Sequence, residues 1–63
     1  MIDLKKIKAL MGANEHTKKD LARYLKISPT ALNNKLKGRV EFKASEIKEI
    51  ADLYHITTDE LYL

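Results

Sequence analysis

The sequence predicts an all-α protein, five short helices on one shared core, with no credible strand. Three observations carry this expectation. Apolar residues recur at three- and four-residue spacing along the chain, the period of a helix and not of a strand. Serine or threonine stands where successive segments would begin, at Thr17, Ser28 and Thr57. With only two glycines and one proline in 63 residues, there is little room for long loops.

The elements follow in order. The first segment, about Asp3 to Met11, sets Leu4, Ile7, Leu10 and Met11 on one stripe and leaves Lys5, Lys6 and Lys8 outside it. Gly12 is the expected stop. The second begins at Thr17, with Asp20 three residues on as a variant capping box, and turns Leu21, Ala22 and Leu25 inward. The third begins at Ser28, with Pro29 at the first helical position, where its missing N–H costs nothing. Ile27 and Leu32 match a hydrophobic staple, and Gly38 closes the helix with the positive φ that such an ending needs. The fourth, roughly Ala44 to Tyr54, carries Ile47, Ile50, Ala51 and Tyr54 at helical spacing. Lys43 is a poor cap for it, whereas Ser45 would cap a slightly shorter helix. The fifth is a short helix from Thr57, with Glu60 three residues on and an Ile56–Leu61 staple. Connections of two to six or so residues suit a compact bundle, read as one domain over 1–63.

Composition narrows the function classes. Cysteine is absent, so neither disulfides nor thiolate metal sites are expected, and a reducing cytoplasm is compatible. No apolar run approaches the ~20 residues that span a bilayer, and no signal-peptide pattern opens the chain. His16 and His55 stand apart from any acid or cysteine at ligand spacing, so no metal is expected. No catalytic constellation or phosphate-cradling glycine loop is present, so neither an enzyme nor a cofactor is expected. Tyr24, Tyr54 and Phe42 read as core or staple residues. The apolar end, Leu61 to Leu63, either caps the core or makes a dimer contact.

Charge is segregated. The net charge is +3, yet residues 17–43 hold eight cations against two anions, for +6, while residues 44–63 hold Lys48 against five acids, for −4. Such a layout orients a molecule toward a polyanion and speeds encounter. The basic segment contains the two capped helices and the tight turn between them. A short turn forces a steep crossing, with small Ala22 where the backbones approach and Leu25 and Ile27 pinning the bend. The outer face of the second helix of the pair then presents Pro29, Thr30, Asn33, Asn34 and Lys37. Asparagine can pair with an adenine edge, and threonine suits a thymine methyl. This is the layout of a helix-turn-helix that reads double-stranded DNA.

Ala22, Ile27-Ser28, Leu32, Gly38, Glu46-Ile47, Ile50-Ala51 and Asp59-Glu60-Leu61 stand where phage repressor, Cro and Xre-type helix-turn-helix domains carry matching residues. The stretch Lys35-Leu36-Lys37-Gly38, with Phe42 and Ser45-Glu46-Ile47, resembles a branch found in phage and prophage regulators of Gram-positive bacteria. The resemblance covers nearly the whole chain and implies a lambda-repressor-like five-helix fold. It makes the helix from Ser28 to Lys37 the recognition helix. It implies base contacts from Pro29, Thr30, Asn33 and Asn34, and phosphate contacts from Lys18, Lys35, Lys37 and Arg39. It also implies a cytoplasmic, Cro-like repressor in a bacterial host, a homodimer on an operator, excluding RNA polymerase by competition.

The chain departs from that pattern in three places. Lys18 replaces a common glutamine, Lys26 stands where glycine usually makes the bend, and Pro29 removes one reading side chain. A left-handed Lys26 would carry about 1 kcal/mol of strain. Two other readings stand beside a Cro-like repressor. One is a helical interaction module, such as an antitoxin or adaptor, working through its acidic face. The other is the DNA-binding domain of a longer repressor. No self-cleaving or oligomerising domain follows Leu63, so a short Cro-like protein is the expectation.

Overall fold

Four α-helices follow one another in the computed structural model, which describes all 63 residues: α1 (Leu4–Ala13), α2 (Lys18–Leu25), α3 (Pro29–Leu36) and α4 (Ala44–Leu53). The expected fifth helix is a single 3₁₀ turn at Thr58–Leu61. It stops there because Tyr62 is already extended, forming an isolated antiparallel bridge with Ile2. Asp3 N–H donates to the Leu61 carbonyl at 2.8 Å, and Leu63 N–H to the Met1 carbonyl at 2.8 Å. The two chain ends are thus tied to each other.

Local chemistry starts each helix. Asp3 caps α1, accepting from Lys6 N–H at 3.1 Å. Thr17 and Asp20 form a reciprocal capping box on α2. Ser28 caps α3, accepting from Ala31 N–H at 3.0 Å, with Pro29 at the first position. The residue before α4 is Lys43, and Ser45 lies inside the helix rather than capping it. Lysine offers no acceptor, so only half of a box forms there: Glu46 reaches back and accepts from Lys43 N–H at 2.8 Å.

All four α-helices end alike. The chain turns left-handed at Glu15 (φ 55°), Lys26 (φ 60°), Gly38 (φ 78°) and His55 (φ 56°). The next amide then bonds five residues back: His16 to Met11, Ile27 to Ala22, Arg39 to Asn34 and Ile56 to Ala51, at 2.8–3.0 Å. Each is a Schellman ending, which satisfies carbonyls the helix leaves open. Gly12 is therefore not the stop expected of it. It stays inside α1, and Glu15 takes the left-handed position instead. Lys26 does adopt the strained conformation foreseen for it.

The endings aim four apolar stripes at one core of twelve side chains. Ile7, Leu32, Ile50 and Leu61 are wholly buried at its centre, and Ile27, Leu10 and Phe42 pack around it. Leu61 thus caps the core, while Tyr62 and Leu63 are exposed. Tyr24 is about half exposed on the outer side of α2, contrary to its expected core place. The packing of α2 on α3 is the most extensive between any two elements, and Ala22 is buried beside the bend.

One ion pair lies inside this packing. The Lys35 ammonium meets both oxygens of Glu46, at 2.5 and 2.6 Å, and the two residues are 7% and 6% exposed. It joins the buried side of α3 to the first turn of α4, with the Phe42 ring centroid 5.9 Å from the ammonium. Burial pushes the Glu46 carboxyl up, but hydrogen bonds from Lys35 and Lys43 outweigh it and hold the group below its ordinary value.

Lys26→Gly should raise stability by about 0.5–1 kcal/mol, and Gly38→Ala should lower it by a similar amount. A Cβ at Gly38 would meet Leu4 Cδ1 at an ordinary 3.6 Å, so the cost there is backbone strain rather than a clash. Thermal melts of both variants check this. Removing either partner of the buried pair strands a charge and should cost about 3–5 kcal/mol, whereas Lys35→Met with Glu46→Leu should recover most of it. Because Glu46 titrates lower in the fold than when unfolded, its contribution is full above the ordinary glutamate value of 4.5 and is lost as pH falls through the folded value. Urea titrations of the wild type and the double variant from pH 7 downward should show that acid-labile component only in the wild type.

Candidate nucleic-acid interface

The two sides of α3 differ sharply. Leu32, Lys35 and Leu36 face the interior and are buried. At 100° per residue the opposite side carries Thr30, Asn33, Asn34 and Lys37. Pro29, Thr30 and Lys37 are exposed, and Asn33 and Asn34 are half-buried. Ser28 fixes the start of the helix and the Gly38 turn fixes its end, so these side chains project from a held scaffold.

The beginning of α2 stands beside this face. Lys18, its first residue, donates from Nζ to the Asn33 side-chain oxygen at 2.7 Å. The backbone amides of Lys18 and Lys19 have no acceptor in the preceding chain, as the first amides of a helix do not. They point with the positive end of the helix dipole and form, with the lysine side chains, an anion-friendly corner. Asp20 sits in the same turn but is spoken for. Its carboxyl is held below the usual range chiefly by Thr17 N–H, then by the Thr17 hydroxyl and by the nearby charges of His16 and Arg23.

At the far end, Arg39 reaches back along the same side, its guanidinium 3.4 Å from the Asn34 side-chain oxygen. Lys19, Arg23, Lys26 and Lys43 are also exposed on this half of the molecule's sequence. The structure thus brings Lys18 to Asn33 and Arg39 to Asn34, and leaves Pro29, Thr30 and Lys37 open to solvent.

Lys35 does not join them. Its ammonium is buried against Glu46, so it cannot reach a backbone phosphate from the outer face, and its expected phosphate contact is withdrawn. The spacing held the signal. Lys35 falls three residues after Leu32 and one before Leu36, on the buried stripe, and the Glu46 that pairs with it begins the next apolar run. Nothing comparable marked the Lys18–Asn33 contact, which joins residues fifteen apart across the bend.

Away from this face, His16 Nδ1 lies 2.9 Å from the Tyr54 hydroxyl, joining the α1–α2 turn to the end of α4. No group of three or more histidine, cysteine or acidic side chains converges as a metal site. No helix is long and apolar enough to cross a membrane.

Comparison with known proteins agrees with the geometry. Residues 6–62 match the family profile of Cro/C1-type helix-turn-helix DNA-binding domains. No curated protein and no solved structure shows a significant match.

Proposed function

The chain belongs to the Cro/C1-type helix-turn-helix DNA-binding family, and from that premise we propose that it is a sequence-specific transcriptional repressor. The reading is of a Cro-like regulator from a phage or prophage of Gram-positive bacteria, acting in the host cytoplasm as one domain of residues 1–63. The observation that supports it best is the outer face of α3: short polar side chains on a capped helix, flanked by Lys18 at one end and Lys37 and Arg39 at the other.

Helix α3 enters the major groove of double-stranded DNA. Pro29 and Thr30 lie nearest its leading end and touch base edges, with a thymine methyl a fitting contact for each. Asn33 and Asn34 offer amides to base edges one turn further on. Lys18, Lys37 and Arg39 bind phosphates and fix register, and at Lys37 and Arg39 that contact positions the helix without itself selecting sequence.

Repression follows from occupancy. Successive major grooves on one side of DNA are about 34 Å apart, whereas the Cα trace measures 25 × 24 × 19 Å. One chain carries a single α3 and so fills one groove, and a homodimer on a pseudo-palindromic operator is the arrangement that fills two. A dimer seated over a promoter excludes RNA polymerase by competition.

Selection from a random duplex pool tests the proposal. The expected product is a pair of inverted half-sites centred about 10–10.5 base pairs apart. On that operator Asn34→Ala should relax preference at one base pair and cost about 1–3 kcal/mol there. Lys37→Ala should weaken every sequence alike and lower the salt slope by about one. Mobility shifts at low and moderate salt read both effects. Absence of salt-sensitive binding to any duplex would refute the proposal and favour a protein-interaction module.

A further inference from the structure

The contact between Lys18 and Asn33 carries more than proximity. Lysine has three donors and no acceptor. An ammonium 2.7 Å from the asparagine side chain can therefore be met only by the amide oxygen, and the structure has Oδ1 in that place. The amide nitrogen is turned away from Lys18. One lone pair of Oδ1 and both hydrogens of Nδ2 remain for a ligand, in a fixed order around the amide.

That order matters in the major groove. An adenine edge offers a donor at N6 and an acceptor at N7, so it pairs with an asparagine amide in one orientation. A half-turn of the amide exchanges its oxygen and nitrogen and reverses the match. Asn33 is half-buried on α3, but no other polar side chain holds its oxygen. Lys18 alone sets which way the amide faces.

We infer that Lys18 is a specificity-determining positioning residue, orienting the Asn33 amide toward one base pair while its other donors face phosphate. The inference rests on α3 being the DNA-reading helix. It adds that a residue on α2, outside base contact, changes which base is preferred. Its neighbour Lys19 has the same charge and exposure without a hydrogen bond to α3, and so serves as an internal control.

The experiment uses duplexes from the wild-type selection, with each base pair varied in turn, and measures affinity for Lys18→Met, Lys18→Arg and Lys19→Met. Lys18 and Lys19 are both exposed, and thermal melts verify that each variant folds. Lys18→Met should weaken all duplexes and, in addition, flatten the preference at one base pair by roughly five- to tenfold. Lys18→Arg, which again presents only donors, should restore that preference. Lys19→Met should weaken binding without altering the profile. In an Asn33→Ala background, Lys18→Met should leave the remaining preferences unchanged. A uniform loss with Lys18→Met, its profile intact, would overturn the inference while leaving DNA reading in place. Failure of the wild type to select any duplex would instead overturn the DNA-reading premise.

Discussion

Helices of eight and ten residues do not persist alone in water, and this constraint governs the whole molecule. Each helix exists only because its ends are satisfied and its apolar stripe meets the shared core. The starts are closed by Asp3, Thr17 and Ser28, and at α4 by the carboxylate of Glu46 reaching back. The stops use one device four times, a left-handed residue followed by a bond five residues back. Three of those four residues are not glycine, so the fold accepts strain at Glu15, Lys26 and His55 to turn the chain within three or four residues. A tight turn at Lys26 is what lets α3 cross α2 with Ala22 buried beneath the bend.

The outer face of α3 inherits its rigidity from that arrangement. Leu32 and Leu36 anchor the helix in the core, and the Lys35–Glu46 pair ties it to α4. A buried ion pair contributes little net stability compared with well-packed apolar side chains, since desolvation offsets most of the attraction. Its directionality is a different matter: two short hydrogen bonds hold α3 at one rotation about its axis. The same side chain that seemed available for phosphate thus acts from the inside, keeping the opposite face turned outward.

Much of this was legible in the sequence, and the pattern of success has a physical basis. The Thr17–Asp20 box, the Ser28-Pro29 start and the Gly38 turn are local, each written within four residues, and the structure contains them. Gly12 misled because glycine favours a left-handed ending without being required for one, and Glu15 could adopt it. Lys35 misled because its phosphate role is implied only by the resemblance, whereas its position on the Leu32–Leu36 stripe places it inside. The short helix expected from Thr57 came out as one 3₁₀ turn because the chain extends at Tyr62 to meet Ile2. That pairing joins opposite ends of the sequence, as the Lys18–Asn33 contact joins two helices. Neither has a local signature.

The central claim is that the outer face of α3, with the start of α2, is the surface that meets DNA. Amide chemical-shift mapping during titration with a selected duplex tests it directly, because every residue reports at once. The account predicts that the shifts concentrate at Thr17–Lys19, Ser28–Asn34 and Lys37–Arg39 and leave the acidic segment beyond Ala44 little changed. Shifts concentrated on α4 and the terminal turn, with α3 silent, would contradict it.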